Sequence, residues 1–192
     1  MNPFLERSVF LRSLNYLRVK HQFAARYSFF YPMLFSALTG VCFFMFTHQI
    51  DVYGVDGLLV KLTPFLAIIA PFFLASLAAV ATFGGSESLD APFDTAEPVT
   101  LIVVGEMGAL DSLDVTPRHF LSLLFGYCCV VALNLFLFAI FVPQIAVGLS
   151  NLIGVNSSYV GWAGLFVFLF FFYQVILATL LGIYYLSDKI HR

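Results

Sequence analysis

The sequence predicts an all-α membrane protein of four transmembrane helices, with both termini on one side and a short β-prone loop between the second and third helices. Three observations predict it. Four stretches, residues 27–47, 62–83, 120–142 and 161–185, contain no Asp, Glu, Lys or Arg, and each reaches the roughly 20 residues a helix needs to cross the hydrocarbon core. The stretches are near-continuously apolar instead of alternating, which favours helices over barrel strands, the other structure whose backbone is satisfied in lipid. Finally, the basic residues are unequally shared between the connections. The composition agrees: 61% of the 192 residues are hydrophobic and 10% charged, so most of the chain lies in or against lipid and a large soluble catalytic domain is excluded.

Residues 1–26 form a basic N-terminal segment in which Arg7, Arg12, Arg18, Lys20 and Arg26 interleave with Leu5, Val9, Phe10, Leu14, Leu17 and Phe23. At 100° per residue the arginines do not gather on one face. The segment therefore reads as a helical lead-in that sets topology and touches anionic membrane lipids through Arg12, Arg18 and Lys20. A sharper reading makes it a lipid-sensing arm. The lead-in and the apolar run after it exceed a secretory signal, whose apolar region is about 7–15 residues. The exit from that run, Phe46-Thr47-His48-Gln49, also lacks a small-residue cleavage site, so the first span is expected to be retained.

Residues 27–83 make the first helical pair, and 118–185 the second, followed by a tail at 186–192. The termini and the loop 84–117 then share one side, with Arg7, Arg12, Arg18, Lys20, Arg26, Arg118, Lys189 and Arg192; the loops 48–61 and 143–160 carry Lys61 alone. Positive charge marks the cytoplasmic side, so both termini and the middle loop are expected there. The uncharged loop 143–160 is expected to lie along the outer leaflet or re-enter it.

The middle loop, 84–117, holds seven acids, Glu87, Asp90, Asp94, Glu97, Glu106, Asp111 and Asp114, with no Lys or Arg. Its first half, rich in Gly, Pro and Asp, reads as turns. Val99, Thr100, Leu101, Ile102, Val103 and Val104 follow as a β-prone run ending at Gly105. With no second run of similar quality in the loop, the expected pairing is with another copy or another protein, by edge-strand addition. A docking surface made of Val99, Leu101 and Val103 with Glu97, Glu106, Asp111 and Asp114 competes with a plain solvated linker. Thr116 then reads as an N-cap and Pro117 as the first residue of the third helix.

No carboxylate or ammonium lies inside a span, which argues against a proton-driven carrier. The mid-span polar residues are Asn134 and Gln174, roughly 22 and 16 Å from the inner helix ends at 1.5 Å per residue. They are expected to hydrogen-bond across the third and fourth helices or between subunits, or else to line a pore. Pairs of small residues at four-residue spacing, Ser36/Gly40, Ala75/Ala79 and Ala178/Gly182, mark faces where helices can approach closely, and Pro71 lies deep enough to bend its span. The cysteines, Cys42, Cys128 and Cys129, read as small hydrophobes. His21, His48, His119 and His191 show no metal spacing, so no cofactor is implied.

The order of these pieces, with Asp114-Val115-Thr116-Pro117-Arg118-His119-Phe120-Leu121-Ser122 running on through Phe125-Gly126-Tyr127, resembles the membrane subunit of the Kiwa antiphage defence system. The resemblance implies a bacterial inner-membrane homo-oligomer that detects envelope disturbance and works with a soluble, DNA-binding cytosolic subunit; the composition gives no sign that this chain binds nucleic acid itself. The expected function is thus a non-enzymatic sensor and scaffold that regulates a cytosolic effector through the middle loop. The alternative is an oligomeric pore that depolarises the membrane.

Overall fold

A computed structural model of the chain describes residues 13–20, 26–46, 51–54, 56–82, 87–91, 93, 99–104, 110–153 and 157–190. Four long helices dominate: α1, Tyr31–Met45, entered through a π-helical turn at Arg26–Phe30; α2, Leu58–Thr82; α3, Pro117–Ile153; and α4, Ser157–Ile190. With the π-helical turn counted in the first, each provides a segment long and apolar enough to cross a membrane: Arg26–Met45, Leu58–Thr82, Pro117–Ile145 and Gly161–Ser187. Their outward faces carry large apolar side chains, among them Met45 at 77%, Ile68 at 71% and Phe44 at 66% exposure. Such continuous apolar cover suits lipid and would be an aggregation liability in water.

The helices do not pack in chain order. α3 packs most extensively on α2 and next on α4, while α1 packs on α4 and touches α2 marginally at most, so the spatial order is α2, α3, α4, α1. The core accordingly follows α3, where Leu121, Leu124, Cys128 and Ala132 are fully buried against Leu59, Leu66 and Phe73 of α2 and Phe168 of α4. Leu121, Leu124, Cys128 and Ala132 step by three or four residues, which keeps them on one stripe of the helix.

One sequence expectation about the helices is corrected. The third helix does not end at Val142 but continues through Pro143 to Ile153, and the fourth starts at Ser157; most of the segment expected to be an outer loop is therefore helical. α2 carries Pro64 and Pro71 inside one continuous helix, as a helix that bends at a proline also does. The Thr116 signal, by contrast, behaves as read: its hydroxyl accepts the His119 amide at 3.3 Å and α3 begins at Pro117.

At one end of the bundle lies a three-stranded antiparallel sheet in the order β1 (Val19–Lys20), β2 (Thr100–Val104), β3 (Leu110–Asp114). This overturns the expectation of a strand seeking an external partner. β3 pairs with β2 along its length, from Thr100 opposite Asp114 to Val104 opposite Leu110. β1, from the N-terminal segment, takes the other side at Leu101 and Thr100. β3 escaped the sequence reading because Asp111 and Asp114 lower its β propensity; pairing with the strong strand β2 overrides that preference.

Candidate functional site

The features that set this chain apart from a plain helical anchor gather at the sheet end, where the N-terminal arm, the middle loop and three of the helices meet. The arm is the 3-10 helix Ser13–Arg18 followed by β1. Tyr16 at 3% and Val19 at 6% exposure enter the core. The Tyr16 ring lies 5.2 Å from Tyr127 and 6.0 Å from Phe120, centre to centre. Phe93 of the loop joins the same cluster, 6.0 Å from Phe120 and 5.8 Å from Tyr185 of α4. The arm is thus docked on the bundle instead of lying free as an amphipathic helix.

Below this aromatic layer is a polar node centred on Gln174, which is 2% exposed. Its Oε1 accepts the Tyr127 hydroxyl at 2.7 Å, and its Nε2 donates to the Ser28 carbonyl at 2.7 Å. Sequence explains why that carbonyl is open: its donor in a regular α-helix would be residue 32, and Pro32 has no N–H. The Ser28 hydroxyl in turn donates to the Tyr16 hydroxyl at 3.3 Å. One amide therefore ties α4 to α3 and to the entry of α1, and through Ser28 to the arm. Buried polar groups must be paired in this way, since an unpaired one is costly in an apolar interior.

Asn134 does something else. It is exposed on α3 and its Nδ2 donates to the Val130 carbonyl of its own helix at 2.8 Å. The expected link between Asn134 and Gln174 is not made, because one faces outward while the other is buried against α3 and α1.

Of the proposed docking residues, Val99 and Leu101 are each 4% exposed and pack in the core, correcting the reading that offered them to a partner. Asp114 is exposed at the end of β3. Val103 and Asp111 are cross-strand neighbours in the sheet, while Glu97, Glu106 and Arg12 lie outside the described residues. Arg18 and Lys20 fall in the arm, Lys20 opposite Thr100. Sequence reading counted Arg118 only as a topology charge. In the structure its Nε and Nη2 donate to the Asp90 carboxylate at 2.6 and 3.0 Å, and its Nη1 donates to the Val80 carbonyl at 3.0 Å. It thereby fills one of the orphan carbonyls in the last turn of α2 and fastens the acidic loop to it. The signal was present, as Arg118 is the first basic residue after a run of acids.

The small-residue pairs differ in burial: Ser36 is fully buried while its partner Gly40 is not, and only Ala178 and Gly182 are both buried. Ala178 and Gly182 are buried against α3, whereas Ala75 is exposed and Gly40 opens onto a groove of about 600 Å³ between α1 and α4, lined by apolar side chains including Val41, Phe44, Trp162 and Phe166. α1 packs on α4 through ring contacts of Phe35 with Tyr173 and of Phe44 with Trp162, and through a 2.7 Å hydrogen bond between the Thr39 and Tyr173 hydroxyls.

Burial pushes the Tyr16 phenol up to about 12 from its ordinary value near 10, against the opposing pull of the Ser28 hydroxyl. The folded state therefore keeps the proton longer than the unfolded one, so this contribution is intact below pH ~10 and is lost as the pH rises from there through about 12. Alkaline titration followed by tyrosinate absorbance and by hydrogen exchange of residues 13–20 should show the arm undocking in that window. Tyr16→Phe, which keeps the ring and removes the proton, should abolish this step; an unchanged profile would show that another group drives it.

Four apolar spans and a folded, polar-stitched end define a multi-pass helical membrane protein. No protein-family model, curated protein or solved structure matches the chain. Among the described residues no group of three or more His, Cys, Asp or Glu side chains is placed to hold a metal ion.

Proposed function

We propose that this chain is a non-enzymatic sensor and scaffold of a bacterial inner membrane, with both termini and the sheet in the cytosol. It assembles with copies of itself and holds a soluble effector protein at the acidic middle loop. The role in antiphage defence follows from the likeness to the Kiwa membrane subunit.

The observation that carries the reading is the pairing of β1 with β2. The arm precedes α1, the most peripheral helix, in the chain, and its strand is part of the sheet built by the loop. A change in the bilayer that shifts α1 on α4 pulls on the arm, and the arm is bonded to the loop that meets the partner. Such a switch needs two packings of similar free energy, of which the stimulus favours one. The peripheral seat of α1, with few polar ties and an open groove behind it, supports a low cost for that shift. The acidic loop supports a partner with a basic face.

The test is retention of a cytosolic protein by the tagged chain purified from its native host. Asp111→Lys with Asp114→Lys reverses charge on β3 while leaving Val99 and Leu101 in the core. It is expected to reduce retention at least tenfold at low salt without impairing membrane insertion, and deletion of residues 90–114 should abolish it. Equal retention by all three chains would sink the docking role of the loop.

A further inference from the structure

We propose that copies of this chain meet through the outer face of α3, with the amide of Asn134 in one copy hydrogen-bonded to Asn134 of a second. The proposal deepens the assembly part of the function above and rests on that reading, independently of the loop and its partner.

One face of α3 is turned away from the bundle. Leu133, Leu137, Phe141 and Ile145 on it are 47, 48, 53 and 54% exposed. Asn134 is exposed on the same side, 17 residues after Pro117 and 11 before Ile145 within the apolar span. At 1.5 Å per residue this places it about 26 Å from one end and about 17 Å from the other, within the hydrocarbon. A primary amide has two N–H donors and a carbonyl with two lone pairs. The bond to Val130 uses one donor; the other donor and the carbonyl have no partner among the described residues. Facing acyl chains, those groups are costly to leave unmade.

The amide is self-complementary, since the carbonyl of one accepts from the N–H of another and the reverse. A second copy in the same orientation presents its own Asn134 at the same depth by symmetry, as an isologous contact requires. An acyl chain offers no such groups. Gly126, two turns earlier on the same side, adds a bare patch of helix: a Cβ built there meets nothing within 4 Å. A neighbouring helix can approach closely at that point.

The test is energy transfer between terminally labelled copies diluted in lipid bilayers. The wild-type chain is expected to associate well above random proximity. Asn134→Leu and Gly126→Leu should each weaken association about tenfold, while Asn134→Gln, which keeps the amide, should stay close to wild type. Ile68→Trp, on the exposed face of α2, should leave association unchanged. If the wild type associates and neither α3 variant weakens it, the interface lies elsewhere and assembly itself stands. If the wild type fails to associate, both this contact and assembly fall, and the loop experiment still decides the partner.

Discussion

Gln174→Ala is expected to destabilise the folded chain by about 2–4 kcal/mol, and to do so chiefly by leaving a cavity. Its two side-chain hydrogen bonds, to Tyr127 and Ser28, are each worth only about 0.6 kcal/mol by the average for membrane helices. Truncating a large buried side chain costs roughly 2–5 kcal/mol where the surroundings cannot collapse. Gln174→Leu, which nearly restores the volume but leaves the Tyr127 hydroxyl and Ser28 carbonyl unpaired, should cost less than alanine, about 1–2 kcal/mol. The two variants separate packing from polarity. Unfolding in detergent measures both, and hydrogen exchange of residues 13–20 should quicken in each, because the Ser28 end of the node reaches the arm. Equal losses for alanine and leucine would show that the hydrogen bonds dominate.

Gly182→Leu should have an effect of similar size by the opposite route. A Cβ at Gly182 would lie 2.7 Å from Leu124 Cδ2 and 3.0 Å from Phe125 Cε1, both of them buried. Gly182→Ala is thus expected to cost about 1–3 kcal/mol, the usual range for overpacking, and leucine more. The loss should appear as a lowered unfolding midpoint. Gly126→Ala is a built-in comparison, because its Cβ would meet no neighbour. A Gly182→Ala protein as stable as Gly126→Ala would mean that α4 can slide away from α3 at little cost.

The four spans were legible from their length and lack of charge, because in lipid those two properties almost determine the backbone. The start of α3 was legible too, since Thr116 and Pro117 act locally. The sheet was not. Val99 to Val104 announced a strand, but its partners are an acidic segment of low β propensity and two residues, Val19 and Lys20, about eighty positions earlier. Neither has a local signature; both exist through pairing. The polar node was half visible: Gln174 stood out as a polar residue in an apolar span, while its partners depend on the missing N–H of Pro32 and on a hydroxyl of another helix. Nor does helical period reveal which side of α3 faces the bundle when nearly every residue is apolar, which is why Asn134 and Gln174 were read as a pair.

The spatial order of the helices sets a timetable for biogenesis. α1 is made before the other three helices, yet its seat is on α4, made after them, and β1 finds its partner only when β2 has followed it. During synthesis α1 must wait in the bilayer beside helices it does not pack against. Its arm, which packs on Tyr127 and Phe120 of α3 and pairs with β2, can be seated earlier, but the Ser28 carbonyl waits for the Gln174 amide of α4. Of the four helices, the one made before the others is the last to find its packing partner.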